Sequence, residues 1–326
     1  MKKYRFVQVD VFTREPFTGN PLAVFPEAEG ITDDQMMKIA REMNLSETVF
    51  VLKGEQQSVK VEEQGAKREE QSPLRRLRIF TPVREIPFAG HPIAGTWNAL
   101  AREGVVPLPE GGNGWTRIHH EVGIGVLPVD IEFKDGQPDQ VVMTQGKFQI
   151  LGEVDDNREQ AEFARALGLD RDDLDESLPI QIISTGLTSL VVPIRALADL
   201  KNCRVNSSLL GELYTSHGAT GCHPFSRETM EIGQSRAHAR FFAPADNIAE
   251  DPATGSASGA LGAYLVHHGA TGIEPTDGRH KFVIEQGDFM HRPSRINLDV
   301  GGTAGAVEDV RVGGPSVVVA EGEVFV

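Results

Sequence analysis

Cysteine is scarce in this chain: only Cys203 and Cys222 occur in 326 residues. Two cysteines make no disulfide framework, and these two form no CxxC pair. The chain also lacks a GxGxxG loop, a Walker loop and an HExxH helix, which argues against a dinucleotide, nucleoside triphosphate or zinc enzyme. Positive charge is in deficit. Lys and Arg number 32 against 47 Asp and Glu, for a formal net charge of -15. Nucleic acids and anionic membranes select basic surfaces, so neither is expected as a partner. No apolar run approaches the roughly 20 residues that a membrane-spanning helix needs. The opening MKKYRFVQVD passes straight into strand-like alternation rather than a signal-peptide pattern, and a cytoplasmic protein is expected. The pairs His119-His120 and His267-His268 have no further ligands at site-like spacing, so no metal site is expected.

What is present is an ordinary globular composition, 40% hydrophobic and 24% charged, in a chain long enough for two domains with substantial cores. Residues 4–12 alternate as a strand, and Leu22–Phe25 reads as a second one. Thr32-Asp33-Asp34-Gln35 has the form of a capping box, and Met36, Ile39, Ala40 and Met43 follow at helical spacing, which predicts a helix over 33–43. Thr48–Leu52 reads as a strand. The charged stretch 54–77 reads as a hairpin with a solvated tip, a partner-binding arm being the other reading. A strand at Arg78–Thr81 precedes a helix at 92–103, bracketed by Pro92 and Gly104. Residues 115–133 and 139–150 are β-rich, 159–168 form a helix, and Gln181–Ser184 and Ser189–Val192 form strands. Asp251 is expected to cap, Pro252 to open and Gly269 to end a helix over 252–268. It is small or apolar on every face and should be buried. Ser316–Val326 reads as a strand pair around Gly322. Strands outnumber helices, and each half offers several strands and one buried helix. The expected fold class is α+β, a barrel-like sheet around a central helix, made twice.

One segment is used twice. RIFTPVREIPFAGHPIAGTW (78–97) and RFFAPADNIAEDPATGSA (240–257) both begin with Arg, an aromatic and Pro at alternate positions: Arg78, Phe80, Pro82 and Arg240, Phe242, Pro244. Aligned on their ends, His91-Pro92 stands against Asp251-Pro252 and Gly95-Thr96 against Gly255-Ser256, with two residues missing from the middle of the second copy. A duplicated chain with two helix N-termini, one led by His and one by Asp, suggests a cleft for a small molecule between similar halves. Glu47 has no clear counterpart in the second half, where Leu169-Asp170-Arg171 is the nearest equivalent stretch.

NLSETVFVL (44–52), IFTPVREIPFAGHPIAGT (79–96), DPATGSASGALGAYL (251–265) and the opening VDVFTREPFTGNPLAVF (9–25) resemble the signatures of the PhzF-like family. Its namesake is the trans-2,3-dihydro-3-hydroxyanthranilate isomerase of phenazine biosynthesis. The resemblance implies the diaminopimelate epimerase-like fold, two pseudo-symmetric domains with the active site between them, and a homodimer without a cofactor. It places a first domain at 1–127 plus 313–326 and a second at 128–312. It makes Glu47 the catalytic acid/base and His91, Asp251 and Ser256 the polar residues around the substrate. Gly90 lies with its backbone against the site, and Thr254 and Gly255 join the substrate-binding set. Pro252 and Gly259-Ala260 depart from the namesake group, as does the long 54–77 stretch, so the resemblance names no substrate.

Moving a proton between two carbons of a conjugated acid needs a base that then serves as an acid. One carboxylate suffices if both carbons lie within its reach, and burial favours the protonated form it must pass through. Glu47 fits that role, His91 that of hydrogen-bonding a developing dienolate, and Asp251 that of pairing with a substrate amine. The helix starts near 92–95 and 252–256 suit a substrate carboxylate. Other readings remain for each residue: Glu47 opens a strand, His91 and Asp251 cap helices, Ser256 allows close packing and Gly90 serves a turn. Two rival functions stand beside the isomerase. An amino-acid racemase or epimerase on this fold usually needs two opposed bases, commonly cysteines at the helix starts, where this chain has Gly90-His91 and Asp251-Pro252. A non-catalytic metabolite-binding protein has no need of an acid/base.

Overall fold

The computed structural model describes residues 1–54 and 73–326; the centre of the stretch read as a hairpin over 54–77 lies outside the described residues. The chain divides into two compact units. The first holds Met1–Asp10, Pro21–Met143 and Pro315–Val326, the second Val11–Asn20 and Thr144–Gly314. The main change-over falls after Met143, against 127 from the sequence, because strands Gly125–Lys134 and Gln137–Thr144 continue the meander begun by Gly114–Val122.

In the first unit, strand Glu47–Lys53 runs parallel to Asn20–Phe25, with Glu47 beside Leu22, and antiparallel to Arg75–Phe80, with Thr48 opposite Phe80. Arg75–Phe80 runs parallel to Gly114–Val122, with Arg76 beside Glu121. The C-terminal strand Ser316–Phe325 pairs with Lys3–Val11. It is one strand, not a pair around Gly322. An added Cβ at Gly322 would stand 2.6 Å from the Phe6 ring, so this glycine serves close approach rather than a turn. Helix α1 (Asp33–Met43) carries the expected capping box, Thr32 and Gln35 each accepting from the other's backbone N–H. Its buried face packs Met36, Ile39 and Ala40 with Phe25, Phe50 and Phe80. Helix α2 (Gly90–Arg102) is the centre of the unit, with every residue but Arg102 buried. Buried apolar side chains such as Ile93 and Leu100 contribute roughly 1.5–3 kcal/mol each.

The second unit packs α3 (Asn157–Leu167), α4 (Leu197–Asn202) and α5 (Ser207–Ser216) on its strands through one core that includes Phe163, Leu167, Leu200, Leu210, Tyr214, Ile182 and Leu190. Helix α6 (Gly255–His267) lies at its centre, again with all but the last residue buried, against Ser294–Thr303 and Ala306–Gly314. α6 begins at Gly255, not at 252. Asp251 ends the strand Ile248–Asp251, so it is not a cap, and Pro252 lies in the connecting loop. Likewise α2 begins at Gly90, which makes Pro92 its third residue rather than its first.

Strand register shows how the two units correspond. Thr48 lies beside Ala23 and opposite Phe80; Cys222 lies beside Leu190 and opposite Phe242. Ile79 pairs with Ile86 as Phe241 pairs with Asp251. Glu85-Ile86-Pro87-Phe88-Ala89-Gly90-His91 therefore aligns without a gap to Glu250-Asp251-Pro252-Ala253-Thr254-Gly255-Ser256. The central helices continue in step. Each has 13 residues, followed by a left-handed glycine, Gly104 or Gly269. The Val105 N–H to Leu100 carbonyl bond of one is matched by Ala270 to Leu265 in the other. The leading motif is repeated in space as well. Arg78 lies over the Phe80 ring and holds Glu85 through two nitrogens; Arg240 lies over Phe242 and holds Glu250 in the same way. The end-to-end sequence alignment is thereby corrected. The counterpart of His91 is Ser256, that of Asp251 is Ile86, and the second copy is three residues longer rather than two shorter, the extra residues falling in the turn before the glutamate. The counterpart of Glu47 is Gly221, not Leu169-Asp170-Arg171.

Candidate active site

Glu47 is the first residue of its strand and is 9% exposed. Its Oε2 lies 3.2 Å from Nε2 of His91, the second residue of α2, which is 6% exposed. A strand start and a helix start thus bring the acid/base candidate and its partner together inside the first unit. Burial holds the imidazole pKa down to about 3, so the ring is neutral near pH 7. A neutral imidazole bearing its proton on Nε2 donates to a carboxylate; the other tautomer accepts from a carboxylic acid. The contact sets an uncharged ring, not an imidazolium, against Glu47. Gly90, buried, precedes His91 as the first residue of α2.

In the second unit, Asp251 is 8% exposed. Its Oδ1 accepts from Asn20 Nδ2 at 3.0 Å, and its Oδ2 accepts from the Thr254 hydroxyl. Burial raises its pKa, while the Thr254 and Asn20 donors act in the opposite sense. Gln286 Nε2 donates to the Asp251 carbonyl at 2.7 Å and to Thr254 Oγ1 at 3.2 Å, and its Oε1 accepts from the Thr254 N–H at 3.1 Å. Asn20 Nδ2 also donates to the Ala253 carbonyl, and Ser294 Oγ to the Pro252 carbonyl. Side chains from other segments thus hold the loop that leads into α6. Gly255 is its first residue, where an added Cβ would stand 3.0 Å from the Phe12 ring. Ser256, the second, is buried.

The two central helices share one electrostatic feature. Helices α1, α3 and α5 are capped by the side chains of Thr32, Asp156 and Asn206. Helix α2 follows Ala89, which has nothing to cap with. Helix α6 follows Thr254, whose hydroxyl is committed to Asp251. Neither has an acidic residue in its first turn. First-turn N–H groups without a side-chain cap, at the positive end of a helix dipole, favour an anion.

The family model described as phenazine biosynthesis-like protein, PhzC-PhzF, matches residues 9–322. The chain belongs to the PhzC/PhzF family. This PhzC/PhzF protein is 36% identical to an uncharacterised isomerase of Clostridium acetobutylicum, over 99% of its own length and 98% of the relative's. It is 32% identical to the trans-2,3-dihydro-3-hydroxyanthranilate isomerase of Pseudomonas aeruginosa, over 99% of both chains. Its structure matches the crystal structure of a Bacillus anthracis PhzF-family protein with a TM-score of 0.81 and 29% identity, over the whole of both chains. The PhzC/PhzF protein is accordingly assigned to the isomerases.

The two thiols of the PhzC/PhzF protein are free and lie in the core of the second unit. Burial pushes Cys203 up to about 11 and Cys222 higher still, so neither supplies a thiolate base at neutral pH. Sequence reasoning missed Asn20 and Gln286. Asn20 sits in a Gly-Asn-Pro sequence that reads as turn chemistry alone, and Gln286 carries no local signal. Only strand pairing brings Gln286 to Asp251.

Proposed function

We propose that this protein is a cofactor-independent isomerase that moves a proton between two carbons of a small carboxylated metabolite. Glu47 is the single acid/base. The observation that supports this reading most is the buried contact between Glu47 and a neutral His91. A carboxylate that takes a proton at one carbon and returns it at another needs a partner suited to both its states, and an uncharged imidazole can be donor or acceptor. His91 hydrogen-bonds the charge that develops on the substrate, Asp251 accepts from a substrate amine or hydroxyl, and an uncapped helix start suits the substrate carboxylate. The name of the Pseudomonas aeruginosa relative's substrate describes such a molecule, an anthranilate with a hydroxyl group. A single base also fits the second unit, where Glu47's counterpart is Gly221 and an added Cβ would overlap the Phe241 ring.

The test is incubation with a panel of dihydroaromatic acids and amino acids in D2O, followed by NMR. The wild type should introduce deuterium at carbon. Glu47→Gln should lose about 10²–10⁴-fold in rate with an unchanged circular dichroism spectrum. Full turnover by Glu47→Gln on a substrate that the wild type accepts would overturn the mechanism.

A further inference from the structure

Thr254 is the residue type that usually caps a helix, at the position where it would do so, yet its side chain makes no cap bond. Its hydroxyl is instead one link in a chain of donors. Gln286 Nε2 donates to Thr254 Oγ1, which turns the hydroxyl hydrogen toward Asp251 Oδ2. Asn20 supplies the donor on the other carboxylate oxygen. Asn20 and Gln286 are fully buried, so their hydrogen bonds are fixed in place rather than exchanged with solvent.

The fold does not require this chain of donors. In the first unit the same strand, loop and helix start are built with Ile86 in place of Asp251 and Ala89 in place of Thr254. The third position changes with them. Arg76 lies beside Glu121 as His238 lies beside Glu285, which sets Val122, one residue on, against Gln286. All three positions are polar in one copy and apolar in the other, although both helices begin at the same place after the same Glu-x-Pro. The helix start therefore does not require polarity at these positions, and one bond of the set, from the Thr254 hydroxyl, goes to the Asp251 carboxylate.

We propose that Thr254 and Gln286, together with Asn20, are positioning residues that hold Asp251 in one orientation, and that Thr254 does not itself contact substrate. This rests on the reading of Asp251 as a substrate-binding residue. A carboxylate has about four acceptor sites; Asn20 and Thr254 take one each, and the rest serve a substrate N–H or O–H. The sequence-based placing of Thr254 in the substrate-binding set changes accordingly.

The experiment uses the full-length protein labelled with [4-13C]aspartate, with the Asp251 signal assigned by its loss in Asp251→Asn. Thr254→Val removes a donor to the charged form, so the Asp251 titration midpoint should rise by about one pH unit. Thr254→Ser, which keeps the hydroxyl, should restore the wild-type midpoint. Nearby charges stay constant in both variants. Glu250 is held by Arg240, Glu285 accepts from the Met230 and Glu231 N–H groups, and Arg292 donates to the Thr18 and Gly19 carbonyls. An unmoved midpoint in folded Thr254→Val would overturn the inference. Turnover gives a second readout. Thr254→Val should lower kcat about 10- to 100-fold and have no further effect in an Asp251→Asn background; equal losses in both backgrounds would show that Thr254 acts on its own. The titration needs no substrate, so its outcome is separate from that of the Glu47 experiment.

Discussion

Among the described residues, burial lowers the imidazoles of His91, His120 and His223 far enough to keep them neutral near pH 7. Burial lowers His91 and His223 to about 3 and His120 to about 4. Each folded-state value lies below the unfolded value of about 6.5, so the unfolded chain takes up protons that the native chain refuses. Their contribution is fully present above about pH 6.5 and declines as the pH falls toward the folded values, by about 1.4 kcal/mol per pH unit for each histidine. His120 offers the clearest measurement, because it packs against Trp97 and has no place in the proposed chemistry. His120→Phe should reduce the loss of unfolding free energy between pH 6 and pH 5 by about 1 kcal/mol, measured by urea titration. An unchanged loss would mean that His120 takes up its proton in the folded protein.

At the scale of elements, the two kinds of helix respond to the same substitution with opposite signs. Alanine has about 1 kcal/mol better helix propensity than glycine. At Gly211 in α5 the nearest atom to an added Cβ is 3.8 Å away, so Gly211→Ala should raise stability by about 0.5–1 kcal/mol. At Gly262 in α6 the same Cβ would overlap the Leu298 side chain, and Gly262→Ala should lower stability by about 1–3 kcal/mol. Paired thermal melts check both. A rise at both positions would mean that α6 has room against its strands. The same contrast explains what the sequence revealed. Helix α1 was legible because its cap and apolar stripe are local, and α6 because its unbroken run of small and apolar residues demanded burial. Helix α5 gave no such signal, since Gly211 interrupts SSLLGELYTS and its packing partners come from distant strands. The starts of α2 and α6 were misplaced because Pro92 and Pro252 look like first-turn residues, while strand pairing holds 251 in a β-strand. Glu47, His91 and Asp251 were legible as a motif. The groups that fix Asp251 were not, because hydrogen bonds from Asn20 and Gln286 cross 231 and 35 residues of sequence.

At the scale of the molecule, the two units have matching strand starts, and Glu47, the proposed base, occupies the first. At the second stands Gly221, against the Phe241 ring, and the next residue is Cys222, the counterpart of Thr48. Cys222 is the thiol nearest that position in sequence, so its state bears on the two-base reading. Cys222 is fully buried and Cys203 nearly so, within one apolar core, and burial pushes both thiols above their ordinary range. The reactive species in alkylation is the thiolate, which must also be reachable, and both conditions fail here. Iodoacetamide at neutral pH should therefore leave the folded protein unmodified and its turnover unchanged, whereas in urea mass spectrometry should show both cysteines alkylated. Modification of either cysteine in the folded protein, with loss of activity, would return Cys222 to the chemistry and favour the two-base reading.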